Sequence, residues 1–192
     1  MDITYGDTVA PGNIKFALLV VDQKTRYNYI LPLQNCKSIT IISALQTLKT
    51  MAGKLPRIMY TDFDPKLLSK TVTSWYNKNM GMILAAPPEQ QQQNGLAELT
   101  WRTISQMARA YINDKQMPKS CWYWAIKHAS KMQNSFPIKF NGKYTTPHEL
   151  VFKNKPDYRQ LLRLFSTVYF LHKKDNTKCV QIYRPTHLLA SL

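Results

Sequence analysis

The run Ile14-Lys15-Phe16-Ala17-Leu18-Leu19-Val20-Val21-Asp22 constrains this chain more than any other stretch. Its apolar character is nearly continuous, where a half-exposed strand would alternate. Such a strand is buried on both faces, so the sheet that contains it needs a covering layer on each side. Ala10-Pro11-Gly12-Asn13 is a turn signature just before it, and Gln23-Lys24-Thr25-Arg26 is polar just after. Met1 to Asp7 (MDITYGD) alternates weakly, and Tyr27 to Leu33 (YNYILPL) reads as a third strand. The three form a meander, with Pro32 placing the third at an edge because proline has no N–H for a ladder.

Helices and strands then alternate. Ser38 is positioned to cap a helix through about Met51, its apolar residues Ile41, Ile42, Leu45 and Leu48 recurring near every 3.6 positions, and Gly53 ends it. Arg57 to Thr61 reads as a fourth strand. Asp64-Pro65 pairs an N-cap with proline at the first helical position and predicts a helix to about Asn79. Gly81 stops it, and Met82 to Ala86 gives a fifth strand. Gln90 to Gln93 reads as loop. The helix from about Leu96 to Asp114 carries Ala97, Trp101, Ile104, Ala108 and Tyr111 as a core stripe, with Glu98, Arg102, Ser105 and Arg109 beside it. Lys119 to about Ser135 is a further helix, closed by Pro137, and Thr146-Pro147-His148-Glu149 opens a short one. Lys153 to Arg163 is basic and loop-like, Leu164 to Leu171 is a candidate strand, and the tail from Lys173 carries weak signals. Three meandering strands followed by two reached through helices predict an α/β mixed sheet of five strands with helices on both faces.

The charge points to a polyanion. Lys and Arg number 26 against 11 Asp and Glu, a net +15 that favours nucleic acid over a membrane surface, the plain alternative being a merely basic protein. Cys36, Cys121 and Cys179 are odd in number and in no zinc spacing, which fits a reduced, intracellular compartment. The four histidines are scattered and read as non-ligands. The apolar runs are too short to span a bilayer, and no signal-peptide pattern opens the chain.

With acids so few, Asp62 at the end of the fourth strand and Glu98 in the first turn of the long helix stand out. The 35 residues between them leave room for one helix and one returning strand, which brings both carboxylates to the same sheet edge, where they could hold a divalent metal. The competing readings are a turn-forming Asp62 and a Glu98 that favours the helix dipole. Asp64 is explained by its capping role.

The stretches MDITYGD, YTDFDPKLL and QQQNGLAELTWRTISQMARAYI resemble the integrase catalytic core of copia-type LTR retrotransposons, within the retroviral-type, RNase H-like superfamily. The likeness continues through PKSCWYWAIKHASKMQNSFPIK and TTPHELVFKNKPDYRQLLRLFSTVYF, to about His172. It implies an RNase H-like five-stranded sheet whose first three strands are antiparallel. It also implies three domain segments: a catalytic core over 1–135, an extension over 136–172 and a weakly structured tail over 173–192. Asp2, Asp62 and Glu98 match the family's three acids, implied to be catalytic and to bind two Mg²⁺ or Mn²⁺ ions. Hard cations take oxygen ligands, in keeping with carboxylates and no histidine or thiol. One ion would activate the attacking oxygen and the other stabilise the leaving oxygen, first in 3′-end processing and then in strand transfer. The chain departs from the family in placing Phe63-Asp64 after Asp62, where Asn-Gly is usual, and Leu99 after Glu98, where a basic residue is common.

The resemblance further implies double-stranded DNA partners (element ends and target), a homo-oligomer, no membrane, a polyprotein context and a nuclear location. Gln93 and Asn94 beside the site, with Arg102, Arg109 and Lys115 along or near the Glu98 face, are the candidate DNA contacts; loop shaping and plain solvation are the alternatives. Trp122, Tyr123 and Trp124 read as core and interface. Because only Met1 precedes Asp2, that ligand is expected to be poorly held and the 192-residue chain weakly active or inactive. The functional alternatives are a catalytically silent DNA-binding module of the same fold and an RNase H-like nuclease.

Overall fold

The computed structural model describes residues 1–86, 92–158, 168–170 and 180–182. Strands β1 (Asp2–Ala10), β2 (Ile14–Val21) and β3 (Asn28–Leu33) form an antiparallel sheet in that order. Asp2 lies opposite Leu19, and Phe16 opposite Leu33. The turn before β2 is made by Gly12 and Asn13, both at positive φ, so the Pro11-Gly12-Asn13 signature acts as read. Pro32 sits at the open edge of β3, as predicted from its missing N–H.

Helix α1 (Ser38–Ala52) ends on Gly53 in the left-handed region. Its start differs from the sequence reading: Ser38 is already helical, with its hydroxyl 3.1 Å from that of Ser69. Asn35 organises the entry instead, its side-chain oxygen accepting from the Lys37 N–H at 3.0 Å and the Thr40 hydroxyl at 2.8 Å. Strand β4 (Ile58–Thr61) pairs in parallel with β5 (Met82–Ala85). Between them, Asp64 does cap a turn, its carboxylate accepting from the Lys66 N–H at 2.8 Å. That turn does not run on; Ser69 is extended and α2 (Lys70–Lys78) begins after it. Helix α3 (Gln92–Asp114) opens ahead of the predicted Leu96, and a 3₁₀ turn (Lys119–Cys121) leads into α4 (Trp122–Ser135). A small hairpin, β6 (Ile138–Phe140) and β7 (Lys143–Thr145), precedes α5 (Pro147–Phe152), whose Thr146 cap accepts from the Glu149 N–H at 3.0 Å. Strands β8 (Val168–Phe170) and β9 (Val180–Ile182) pair antiparallel. The rest of the predicted strand 164–171, the end of the basic loop and most of the tail lie outside the described residues.

The predicted five-stranded sheet needs correction. The described strands divide into the three-stranded sheet β1-β2-β3, the parallel pair β4-β5, and two hairpins. The Met1 amine donates to the Tyr60 carbonyl and ties the start of β1 to β4, but no ladder follows. β1 pairs with β2 from Asp2 onward, so little of it runs alongside β4.

Both faces of β2 are buried, as its continuous apolar run demands. Leu18 and Val20 join Leu31, Leu33, Ile41, Leu45, Leu48, Leu67, Val72 and Tyr76 on one side. Ala17 and Leu19 join Ile30, Ile104, Ala108, Tyr123, Ala125, Ile126 and Ala129 on the other. The first layer is α1 and α2, and the second is α3 and α4. Trp122 lies against Gly6, where an added Cβ would fall 2.2 Å from its ring, and its indole N–H donates to the Thr8 carbonyl at 2.8 Å. That contact covers part of the β1 edge and makes the aromatic start of α4 structural, as read.

One polar joint fixes α4 to β3. Asn28 is 1 % exposed. Its backbone N–H and side-chain amide donate to Asn134 Oδ1 at 2.9 and 3.0 Å, and Asn134 Nδ2 returns to the Asn28 carbonyl at 2.8 Å. Ser130 donates its hydroxyl to Asn28 Oδ1. Asn134→Ala would leave these buried groups unpaired and is expected to cost about 1–3 kcal/mol. Urea denaturation should show a lower midpoint with an unchanged slope.

Candidate functional site

Thr61 ends β4 with its side chain buried, and period-two alternation then turns Asp62 outward, where it is exposed. The Asp64 N–H donates back to the Asp62 carbonyl, which turns the chain sharply and holds Asp64 nearby. Among the described residues the Thr61 hydroxyl, which is buried, has no hydrogen-bond partner. Asp2, half-buried on β1, is brought alongside by the hydrogen bond from Met1 to Tyr60.

Electrostatics report that proximity. Burial pushes the Asp2 carboxyl above its ordinary range; a hydrogen bond from the Ile3 N–H and the Met1 ammonium pull it down, while Asp62 and Asp64 push it further up. The Met1 ammonium is lowered by burial, against the opposing pull of Asp2 and Asp62. Asp2 and Asp62 therefore sense each other electrostatically. Asp64 competes with Asp62 in the sequence and is read there as a cap; the structure keeps the cap and also places Asp64 among the acids that bear on Asp2. The Asp62-x-Asp64 spacing across a turn was the available signal.

Glu98 lies on the exposed side of α3 in its early turns, and is not among the acids that bear on Asp2. Among the described residues no group of three or more Asp, Glu, His or Cys side chains is gathered closely enough to hold a metal ion. Asp2 and Asp62 offer hard oxygen donors of the type divalent cations take, but among the described residues they are not gathered with a third ligand into a cation site. The side chains of Gln93 and Asn94 lie outside the described residues. Arg102 and Arg109 are exposed along α3 as read, and Lys115 pairs with Asp114 at 3.7 Å. Arg109 lines a cavity of about 330 Å³ between α3 and β1, together with Tyr5, Trp101, Lys119 and Trp122.

The fold is that of retroviral integrase catalytic cores. The catalytic core of human T-lymphotropic virus 2 integrase, solved in complex with magnesium, is 21% identical with a TM-score of 0.58, over 78% of this chain and 92% of that one. The bovine immunodeficiency virus integrase core is 15% identical with a TM-score of 0.60, over 80% and 91%. A chain of the simian T-cell lymphotropic virus intasome, in complex with the PP2A regulatory subunit B56 gamma, is 18% identical with a TM-score of 0.63, over 81% and 53%. In sequence, the chain is similar to the retrovirus-related Pol polyprotein from transposon RE2 of Arabidopsis thaliana, 21% identical over 162 residues. That alignment covers 83% of this chain and only 11% of the polyprotein. No family model matches. No helix among the described residues is long and apolar enough to cross a membrane.

The raised Asp2 carboxyl has a consequence for stability. The folded state holds this proton more tightly than the unfolded chain, so stability falls as pH rises from the ordinary aspartate pKa through the raised folded value. Asn accepts the Ile3 hydrogen bond without the charge. Asp2→Asn should therefore melt higher than the parent at pH 7, and the difference should vanish below about pH 3. Calorimetry across that range checks it.

Proposed function

We propose that this chain is the catalytic core of a DNA integration protein, a metal-dependent polynucleotidyl transferase that carries out 3′-end processing and strand transfer on retrotransposon DNA. The observation that carries the reading is the electrostatic proximity of Asp2 and Asp62, tied by the Met1–Tyr60 hydrogen bond, on a fold shared with integrase cores. Asp2, Asp62 and Glu98 are the residues that would hold two Mg²⁺ or Mn²⁺ ions. When bound, such ions supply Lewis-acid stabilisation of attacking and leaving oxygens at phosphorus. The chain's own residues do the rest. β1 carries Asp2, Asp62 follows directly on the end of β4, and the Asp64 N–H bonded to the Asp62 carbonyl sets the turn after it. Arg102, Arg109 and Lys115, with Gln93 and Asn94 at the start of α3, take phosphate oxygens and position the duplex. The partners on this reading are element-end and target DNA, further copies of the chain and the remainder of a polyprotein, in the nucleus.

A second reading is a catalytically silent DNA-binding module, favoured by one observation: Glu98 is not gathered with the two aspartates. A strand-transfer assay on a duplex with a free 3′-OH, in Mg²⁺ and Mn²⁺, separates the two. Asp62→Asn and Glu98→Gln should each abolish transfer and leave DNA binding nearly unchanged, whereas Asp64→Asn, which still caps its turn, should keep most activity. Inertness of the parent alongside retained DNA binding would favour the silent module.

Binding should be driven by the net charge of +15. For about six phosphate contacts, log K should fall with log salt at a slope of roughly −5, and replacing both Arg102 and Arg109 with Ala should reduce its magnitude by about 2. Affinity that is indifferent to salt, measured by fluorescence anisotropy, would rule out this mode of binding.

A further inference from the structure

A cavity of about 450 Å³ lies between β3, α4 and the residues after α5, and neither Asp2, Asp62 nor Glu98 lines it. Three lysines do: Lys127 and Lys131 from α4, and Lys155 from beyond α5. Among the described residues they face one acid there, Asp157. Lys127 and Lys131 are four residues apart on one helix face, a like-charge pairing that works against the helix. Lys127 reaches solvent, yet enough protein surrounds its ammonium for desolvation to lower its pKa, with no acid contributing to draw it back. The ammonium lies 5.6 Å from the centre of the Trp124 ring. The floor is the Asn28–Ser130–Asn134 joint, whose amides and hydroxyl are already engaged with one another, so the lysines are the donors left for a ligand. One wall is aromatic. Tyr27 and His148 line it, and Phe152 packs on both, its ring centre 5.4 Å from that of Tyr27 and 4.8 Å from that of His148.

We propose that this cavity binds an unpaired nucleotide, its phosphate on Lys127, Lys131 and Lys155 and its base against Tyr27 and His148. Lysine ammoniums are compact point charges that suit phosphate oxygens. Gathered in one concavity, they focus a positive potential that draws an anion in. A phosphate alone would leave most of the cavity empty, whereas its volume falls in the range of sites for whole small ligands. Ring faces beside a cationic cleft hold a base whatever its identity, because every base has a face to stack. A bound phosphate would also offset the repulsion between Lys127 and Lys131. The nucleotide can arrive free or as the unpaired end of a strand, since both present the same phosphate and base. The cavity works without the acids or a metal, so it stands apart from the transfer chemistry proposed above.

The complete chain is titrated with inorganic phosphate, deoxyadenosine 5′-monophosphate and a short 5′-phosphorylated deoxyadenylate strand, with binding read from the amide resonances of Tyr29, Ser130 and Asn134. The mononucleotide should bind roughly ten-fold more tightly than phosphate, the scale of one stacked base. Lys127→Gln should weaken it by roughly ten-fold, as for the loss of one charge-assisted hydrogen bond, and Lys155→Gln, on an exposed residue, should weaken it as well. His148→Ala should bring the mononucleotide down toward the affinity of phosphate. Replacing Arg102 and Arg109 with Ala should leave these resonance changes in place, which separates this cavity from the duplex contacts of α3. A strand that moves the same resonances at lower concentration than the mononucleotide identifies a strand end as the source, and an affinity no better identifies the free nucleotide. Phosphate and mononucleotide binding equally, changes that survive both lysine substitutions, or no change at these amides with any of the three probes would overturn the proposal.

Discussion

The burial of both faces of β2 is the constraint on which the rest of the molecule depends. Ala17, Leu18, Leu19 and Val20 are each nearly inaccessible to solvent, and no single layer can cover them. One helical layer must come from the segment after β3 and the other from the segment after β5, so the chain has to cross from one side of the sheet to the other. β4 and β5 make that crossing, and the acids carried at the end of β4 come to lie near the start of β1 as a result.

Apolar burial holds the layers together, and hydrogen bonds fix their register. The Asn28–Asn134–Ser130 joint satisfies buried amides from two distant parts of the chain, so sliding α4 along β3 would break several hydrogen bonds at once. Trp122 does the same at the other end of α4, where Gly6 admits its ring and Thr8 accepts its N–H. The site stands in contrast to these satisfied joints. Asp2 is partly buried close to two other acids, an arrangement that raises its proton affinity and disfavours its charge. Positions that work against folding in this way are where binding and catalysis concentrate.

Much of this was legible in the sequence. The β2 run, the Gly12-Asn13 turn, the edge proline, the Gly53 stop and the stripe from Ala97 to Tyr111 each follow from local rules, because steric freedom, missing donors and helical period act over a few residues. Asp62 could be singled out for the same reason: it ends an apolar strand in a chain with few acids. Local rules misplaced the helix starts. Ser38 and Asp64-Pro65 are sound caps in isolation, but Lys37 and Ser69 are the extended residues from which the two helices start.

The sequence by itself determined a two-faced sheet with its helical layers, an excess of positive charge, and which strand and helix carry the prominent acids. Tertiary structure alone decided which of those acids meet. Asp2 and Asp62 are distant in sequence and are brought near each other where Met1 hydrogen-bonds the backbone of β4. Asp64 also bears on Asp2 from the turn after β4, and Glu98 is not among the acids that do. The division of the sheet into three strands and two was likewise invisible locally. Whether two strands pair depends on how far each runs beside the other, and that length is set by register across the whole sheet.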